Sequence, residues 1–391
     1  MQPINAAIDT IQSDLIAFAR DLVRTKSYSG DEEAIIHLIE KKMNALDYDE
    51  IVIDPMGNIV GRIGSGRKVL LFDSHVDTVA VTDASQWKHD PFGGVIEDGR
   101  LYGRGAVDMK SSAAAAIYAG ATAKKLGIAR DKTIYVSGTV MEEDCDGENL
   151  NYLFEALDMR PDYVVICEPS SNRIALGHKG KAQIRIRTYG VSAHGAAPEK
   201  GVNAVYEMAE IIARIEERNR ELMETKGIRA TLVLSKISSV SASLNAVPSQ
   251  CEVYVDRRTV PGETEASIRQ EMDHLVSGKN ASWEVGTLRR RSWTGMEVVY
   301  QPFHPAWKID REHELTNACI QAYDDTFGHG PDEFEFWDFS TNAVTPVSMG
   351  IPTIGFGPGD SRMAHMRDEN CPVHQFVDAC RFYTQVIRNM E

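Results

Sequence analysis

Apolar residues recur at every third or fourth position through the first fifty residues, which predicts two amphipathic helices. In the second, "GDEEAIIHLIEKKMNAL", acids fill the first turn, where they complement the helix dipole. "IVIDPMGNIVGRI" alternates and turns at Gly57-Asn58, the pattern of a hairpin. "LLFDSHVDTV", residues 70 to 79, has the apolar bulk of a buried strand. "MKSSAAAAIYAGATAKKLGI" is Ala-rich and predicts a helix ended by Gly127. "KTIYVSGTVMEED" and "DYVVICEPS" are short apolar runs ending in acids, as buried parallel strands are when their carboxyl ends form a ligand-binding edge.

From about Gly177 the texture changes to alternating strands in "GHKGKAQIRIRTYGVSAH", then the long helix "AVYEMAEIIARIEERNRELME". Strands follow in "ATLVLSKISSVSA" and "SQCEVYVDRRTV", and a helix in "TEASIRQEMDHLVSG". This β-α-β-β-α-β order predicts a compact α+β unit over 178–297, inserted into a first domain made of 1–177 and 298–391. "IPTIGFGPG" as a strand and "VHQFVDACRFYTQVIRNM" as a closing helix complete that first domain.

One strand carries an anomaly. Asp73, His75 and Asp77 occupy alternate positions, so in an extended chain all three share a face. Buried carboxylates and imidazoles are costly without partners, and a metal ion satisfies several together.

The 391 residues call for two domains or one large domain with an insertion. Hydrophobic content of 43% and charged content of 25% are those of a soluble globular chain. A net charge of -15 opposes nucleic acid as a partner, and the run Arg289, Arg290, Arg291 reads as a solvated face. The first twenty residues carry neither a basic nor a long apolar segment, and no stretch approaches the roughly 20 apolar residues that span a bilayer. A cytoplasmic protein with no membrane partner is the expectation. Six cysteines lack CxxC spacing and suit reduced, structural thiols.

Acids and histidines gather in five motifs at strand ends or the adjacent loops: His75 and Asp77 in "SHVD", Asp108 in "GRGAVDMK", Glu142 and Glu143 in "VMEEDCDG", Glu168 in "CEPS", and His365 in "AHMRDEN". Singly each has an ordinary explanation; Asp108 before a helix suggests an N-cap. Together, two histidines and three carboxylates suit zinc, cobalt or manganese, and are too poor in thiolate for a structural zinc finger. Five ligands shared by two ions leave positions open for water and substrate, which is the pattern of a hydrolytic site.

Motif by motif and in order, the chain resembles the dinuclear zinc hydrolases that include succinyl-diaminopimelate desuccinylase, acetylornithine deacetylase, carboxypeptidase G and aminoacylase. It is most similar to their selenium metabolism-linked hydrolase branch. The resemblance implies an α/β fold, a zinc-exopeptidase-like mixed sheet flanked by helices, with the ferredoxin-like insertion as lid and dimerisation domain. It implies that His75 and His365 each hold one metal, that Asp108 bridges them, and that Glu143 and Glu168 complete one site each. Zn2+ is the expected ion, with Co2+ or Mn2+ fitting the same ligands. Asp77 would orient His75, and Asp73 would keep a structural hydrogen bond.

Glu142 would be the general base: a metal ion brings the pKa of water to about 7, so a nearby carboxylate can take its proton and pass it to the leaving amine. The motif "GVSAHGAAPEKGVNAV" matches the lid motif in which His194 hydrogen-bonds the oxyanion, reaching the site of a partner subunit in related enzymes; a homodimer is therefore implied. Asn245 would help hold the same part of the substrate. Arg258 would clamp a substrate carboxylate, with its neighbour Arg257 a rival for that role. In "GPGDSRMAH", Gly357 and Gly359 could present backbone amides to a carboxylate, although a turn before a metal ligand explains them as well. Trp87 and His89 could line the entrance, although a packing tryptophan and a surface histidine explain them better; Lys110, Ser111 and Ser112 read as helix-start residues, and His178 as a hinge or pocket residue.

The expected activity is hydrolysis of an amide in a small N-acyl amino acid, or of a short peptide cut at its C-terminal side, with a free carboxylate on the substrate. Glu rather than Asp at 168 leans toward deacylase, desuccinylase and carboxypeptidase relatives. The alternatives are a dipeptidase needing a free amino terminus and a metal-holding protein without catalysis.

Overall fold

The computed structural model describes residues 2–390. Helices α1 (Gln2–Arg24) and α2 (Glu33–Ala45) lead into the antiparallel pair β1 (Glu50–Ile53) and β2 (Ile59–Ile63). Helix α1 buries Ile4, Ile8, Leu15, Phe18 and Leu22, one stripe of a 3.6-residue repeat. Strand β3 (Lys68–His75) follows, then the small pair β4 (Val95–Glu97) and β5 (Arg100–Tyr102), helix α3 (Lys110–Leu126) and strand β6 (Lys132–Thr139). Next come the short α4 (Glu142–Cys145), α5 (Glu148–Leu157), β7 (Tyr163–Ile166) and β8 (Ala175–His178).

Strand β3 runs parallel to β6 on one side and β7 on the other. It is buried on both faces from Leu70 to His75, which is why its sequence is an apolar run broken only by Asp73, Ser74 and His75. Because the three strands run the same way, their carboxyl ends open on one edge of the sheet. His75, Glu142, Glu143 and Glu168 all emerge there. Helix α3 lies under that edge; alanines 113–116, Ala119 and Ala123 are buried, and their small size lets the helix pack closely. Gly120 is required for that approach, since a Cβ there would come 2.7 Å from Tyr48 Oη.

The inserted strands and helices are β9 (Gly180–Tyr189), α6 (Ala204–Glu224), β10 (Thr231–Val240), β11 (Gln250–Thr259), α7 (Glu265–Val276) and β12 (Ala281–Val285). They form a separate antiparallel sheet in the order β10-β11-β9-β12. Ala182, Ile184, Ile186, Val253 and Val255 point from it toward Met208, Ile211, Ile268 and Met272 of the two helices, making a second core.

The hairpin β13 (Leu288–Arg291) and β14 (Glu297–Tyr300) follows, then β15 (Phe303–His304) and β16 (Trp307–Lys308). The chain returns here in steps rather than at residue 297. Val298 and Tyr300 join the first core, yet β15 beyond them still pairs with β9. Helix α8 (Glu314–Phe327), β17 (Glu335–Trp337), α9 (Val344–Ser348), β18 (Thr353–Gly355), β19 (Asn370–Pro372) and α10 (Val373–Asn389) complete the chain. The large sheet runs β1-β2-β6-β3-β7-β18-β8-β16, with β17 on β8. No helix among the described residues is long and apolar enough to cross a membrane.

Candidate metal centre

Asp108 stands between two histidines, one on each of its oxygens. His75 Nε2 lies 2.8 Å from Asp108 Oδ1, and His365 Nε2 lies 3.3 Å from Oδ2. Glu168 Oε1 is 3.6 Å from His75 Nε2, and Glu143 Oε2 is 2.9 Å from His365 Nε2. Two three-residue clusters result, His75-Asp108-Glu168 and Asp108-Glu143-His365, in each of which the donor atoms lie within 4.8 Å of one another. Asp108 belongs to both, as a bridging carboxylate must. It does not cap α3: Met109 holds that position, with no side-chain cap bond.

The electrostatics fit a cation. Burial pushes the Glu142, Glu143 and Glu168 carboxyls up, and Asp108 pushes Glu143 and Glu168 further. Hydrogen bonds to Asp108 and Glu143 pull the His365 imidazole up. Several buried anions converging on one place are costly, and divalent ions remove that cost while using these oxygen and nitrogen donors.

The loops holding these groups are tied down. His75 Nδ1 lies 3.0 Å from the Asp77 carbonyl and 3.4 Å from Asp77 Oδ1. The Asp77 carboxylate has a second task that the sequence did not suggest: it accepts from the backbone of Glu142 (3.0 Å) and Glu143 (3.2 Å) and from Ser29 (2.6 Å). It therefore fixes the first turn of α4, where negative charge is favourable. Glu32, buried behind that turn, accepts the Met141 N–H at 3.1 Å, and Met141 has a left-handed φ of 58°. Asp73 is structural, as expected: Oδ1 takes hydrogen bonds from Ser137 and Thr139, and Oδ2 from Asn342.

Glu369 and Arg104 were missed. Glu369 accepts from Val107 N (2.8 Å), Asp108 N (3.1 Å) and Arg104 Nη1 (2.7 Å), while Arg104 Nη2 donates to the His365 carbonyl. Between them they hold the Asp108 loop against the His365 turn, where His365 has a left-handed φ of 62°. Trp87 lies under this pair, its ring 5.2 Å from the Arg104 guanidinium, so its packing role stands. Both residues sat inside motifs read only for Asp108 and His365.

The centre opens on a cleft of about 340 Å³, at the small end of ligand cavities. Metal-side walls come from Asp108, Glu142, Glu143, Glu168 and His365, with Asp146 just after α4; Lys181 and Arg258 enter the lining from strands of the inserted sheet. Strand alternation separates the two arginines. Arg258 faces the cleft and pairs with Asp256 at 2.7 Å, whereas Arg257 turns toward the helices, fully buried, and pairs with Glu263 and with Glu271 at 2.8 Å.

Three expected site residues stand elsewhere. His194 and Asn245 are exposed and do not line this cleft; Gly195 N donates to the Asn245 carbonyl at 2.7 Å, so the two occupy one patch of the inserted unit. Gly357 is corrected: its N–H is used by Ser170 Oγ at 3.0 Å, and a Cβ on it would meet the Cys167 and Glu168 carbonyls at 2.4 Å. It is a close-packing glycine beneath Glu168, with no amide left to offer a carboxylate. His178 is fully buried beside Trp307 and does not line the cleft.

Comparison with known proteins agrees with this centre. Residues 71–389 match the peptidase family M20/M25/M40. The uncharacterized protein YgeY of Escherichia coli (strain K12) is 37% identical over 96% of this chain and 94% of its own. Among solved structures, aminopeptidase PepT from Bacillus cereus ATCC 10987 superposes with a TM-score of 0.74 at 20% identity, covering 97% of this chain and 98% of that one. The Bacillus subtilis YXEP protein, described as a dinuclear metal binding peptidase from the M20 family, superposes with a TM-score of 0.71 at 14% identity over 97% and 98%. The chain belongs to the peptidase family M20/M25/M40 and is a metallohydrolase of that family.

Proposed function

We propose that this enzyme hydrolyses an amide bond in a small substrate with a free carboxylate, either an N-acyl amino acid or a short peptide cut at its C-terminal side. The observation that carries the reading is a cleft with a bridged two-cluster centre and Glu142 on one wall and a guanidinium on the other.

His75, Asp108 and Glu168 would hold one ion, and His365, Asp108 and Glu143 the other, with Zn2+ the expected metal. When bound, such ions supply Lewis acidity that polarises the amide carbonyl and makes water acidic near neutral pH. Asp77 orients His75 and positions the turn that carries Glu142. Glu142, buried yet facing the cleft, takes a proton from the attacking water and returns it to the leaving nitrogen. Arg258 binds the substrate carboxylate.

His194 would supply the oxyanion donor across a dimer. Supporting this, β10 is an edge strand whose Val233, Ile237 and Val240 are half exposed, and Tyr206 on α6 is 73% exposed. Apolar edges of this kind are normally covered, and a second copy would cover this one. A dipeptidase needing a free amine is the second reading. Its support is the likeness to aminopeptidase PepT, together with Asp146, a cleft carboxylate outside the ligand set.

The test is mass-spectrometric detection of hydrolysis by the zinc-loaded protein on N-acetyl, N-formyl and N-succinyl amino acids and on free and N-blocked dipeptides, with and without chelator. Chelator-sensitive cleavage of substrates with a blocked amine and a free carboxylate is expected. Cleavage confined to free-amine peptides would replace the lead reading with the second.

A further inference from the structure

We infer that Lys181 is a substrate-contacting residue, which with Arg258 forms a two-cation clamp for one substrate carboxylate, and that Asp146 and Tyr300 position it. This rests on the free-carboxylate reading above and extends it to a residue that neither the sequence motifs nor the family resemblance assigned.

The geometry begins with strand register. Arg258 on β11 and Lys181 on β9 are direct antiparallel partners. Directly opposed side chains leave one face with Cβ atoms about 4.5–5.5 Å apart. The next pair, Arg257 and Ala182, faces the helices, so Lys181 and Arg258 share the cleft face and both line the cavity opposite the metal centre.

Each cation is tethered but not exhausted. Lys181 Nζ donates to Asp146 Oδ1 at 3.1 Å, its one hydrogen bond among the described residues, and a lysine has three donors. Arg258 uses Nε and Nη2 on Asp256, leaving Nη1 without a partner among the described residues. Asp146 is itself held: Tyr300 donates to the oxygen that takes Lys181, and the carboxylate is buried. The Lys181 ammonium lies 5.6 Å from the Tyr300 ring centre, which further limits where the side chain can go. Burial raises the Asp146 carboxyl, but Lys181 foremost, then His304, outweigh it, so Asp146 stays ionised and below the ordinary carboxylate range.

The free donors, rather than net charge, favour one carboxylate. Each cation already faces one acid, Lys181 with Asp146 and Arg258 with Asp256, which leaves Arg258 Nη1 and the remaining Lys181 donors for a ligand. A carboxylate can give one oxygen to each of the two free donors, fixing the direction in which the scissile amide enters.

The experiment measures equilibrium binding to the zinc-loaded full chain carrying Glu142→Gln, so that ligands are not consumed. The probes are N-acetylglycine, N-acetylalanine and N-acetylmethionine, their carboxamides, and N-succinylalanine. Lys181→Met should weaken binding of the N-acetyl acids about 10- to 100-fold, the range of one hydrogen bond to a charged group, and leave the carboxamides unmoved. Lys181→Arg should recover part of the loss, and Lys181→Met with Arg258→Met should lose less than the product of the single effects. Acids that bind better than carboxamides but are indifferent to Lys181→Met would overturn the clamp alone. Acids that bind no better than carboxamides would overturn the carboxylate reading, and the clamp with it. A loss confined to N-succinylalanine would also overturn the clamp, assigning Lys181 to an acyl-group carboxylate.

Discussion

The two walls of the cleft are built on opposite plans. The metal-side wall comes mostly from loops at the carboxyl ends of parallel strands, joined by Asp108 from the loop after β5; its side chains are mainly acidic and buried, and they are cross-tied by groups such as Asp77, Glu32 and Glu369. The facing wall is the open side of an antiparallel sheet, where partly buried cations are each held by one acid. Parallel strands bring distant loops to one point and fix them there, which suits a reaction centre. An antiparallel face offers a row of exchangeable positions, which suits recognition. The difference predicts that changes on the first wall strike turnover and changes on the second strike binding.

The sharpest test is Glu142→Gln. The substitution preserves volume and polarity but removes the base, so turnover should fall by about 10² to 10⁴ while two metal equivalents stay bound by elemental analysis. Turnover near wild type would remove Glu142 from the mechanism and dissolve the functional contrast between the walls.

Within the second wall the adjacent arginines provide an internal comparison. Arg257→Met leaves the partly buried Glu263 without its partner, while Glu271 keeps Arg218 at 2.6 Å. A loss of about 1–3 kcal/mol in urea unfolding is expected, the cost of removing one partner of a buried hydrogen-bonded group. Arg258→Met, one residue on and half buried, should change stability by no more than about 0.5 kcal/mol yet weaken substrate binding. Equal stability losses in the two variants would mean that strand alternation does not divide structure from recognition here.

His194→Ala sharpens the comparison from outside the cleft. A rate loss of about 10² to 10³ with metal content unchanged is expected for loss of an oxyanion donor, even though the residue is remote within its own chain. Mixing Glu142→Gln and His194→Ala chains should restore part of the activity if sites are shared. A mixture as inactive as its components would confine each site to one chain.

Most of the metal-side wall was legible in the sequence because His75, Glu143 and Glu168 interrupt or end apolar runs, and an ionisable group in such a place needs a partner; His365, in the polar "GDSRMAHMRDEN", was assigned only through the family resemblance. Asp73, His75 and Asp77 announced the centre for that reason. The supports were not legible: Glu32, Arg104 and Glu369 act on backbone groups of loops far away in the chain, and nothing local distinguishes them from surface charges. Lys181 was hidden differently. Alternation in "KAQIRIR" shows that it faces away from the helices, but not that Arg258 is opposite it or that a cleft lies beyond. The hairpin at 288–300 escaped as well, because its attachment depends on Val298 and Tyr300 finding the first core. Gly357 was misread through its motif; what decides its role is the carbonyl of Glu168 against it.

The smallest expected effect lies at the junction of the walls. His178 ends β8, two residues before the inserted sheet begins, and is fully buried with Nδ1 2.7 Å from the Lys179 carbonyl. Its Nε2 has no partner among the described residues. Burial lowers the imidazole to about 4, against the backbone hydrogen bond and Asp146, with His304 and Arg258 adding to the depression. The folded protein thus holds this histidine neutral where the unfolded chain, with a pKa of about 6.5, binds a proton. Between those values the unfolded state carries more protons, so stability is full above about pH 6.5 and falls as pH drops toward 4, by something on the order of 3 kcal/mol. The buried carboxyls of the metal centre, also pushed up by burial, take up protons as pH falls as well, so the reading must be differential. His178→Gln keeps a polar, uncharged side chain, and its melting temperature should decline less steeply than wild type between pH 6.5 and 4. Parallel slopes would place the acid sensitivity wholly in the metal-side wall and leave the junction indifferent to protons.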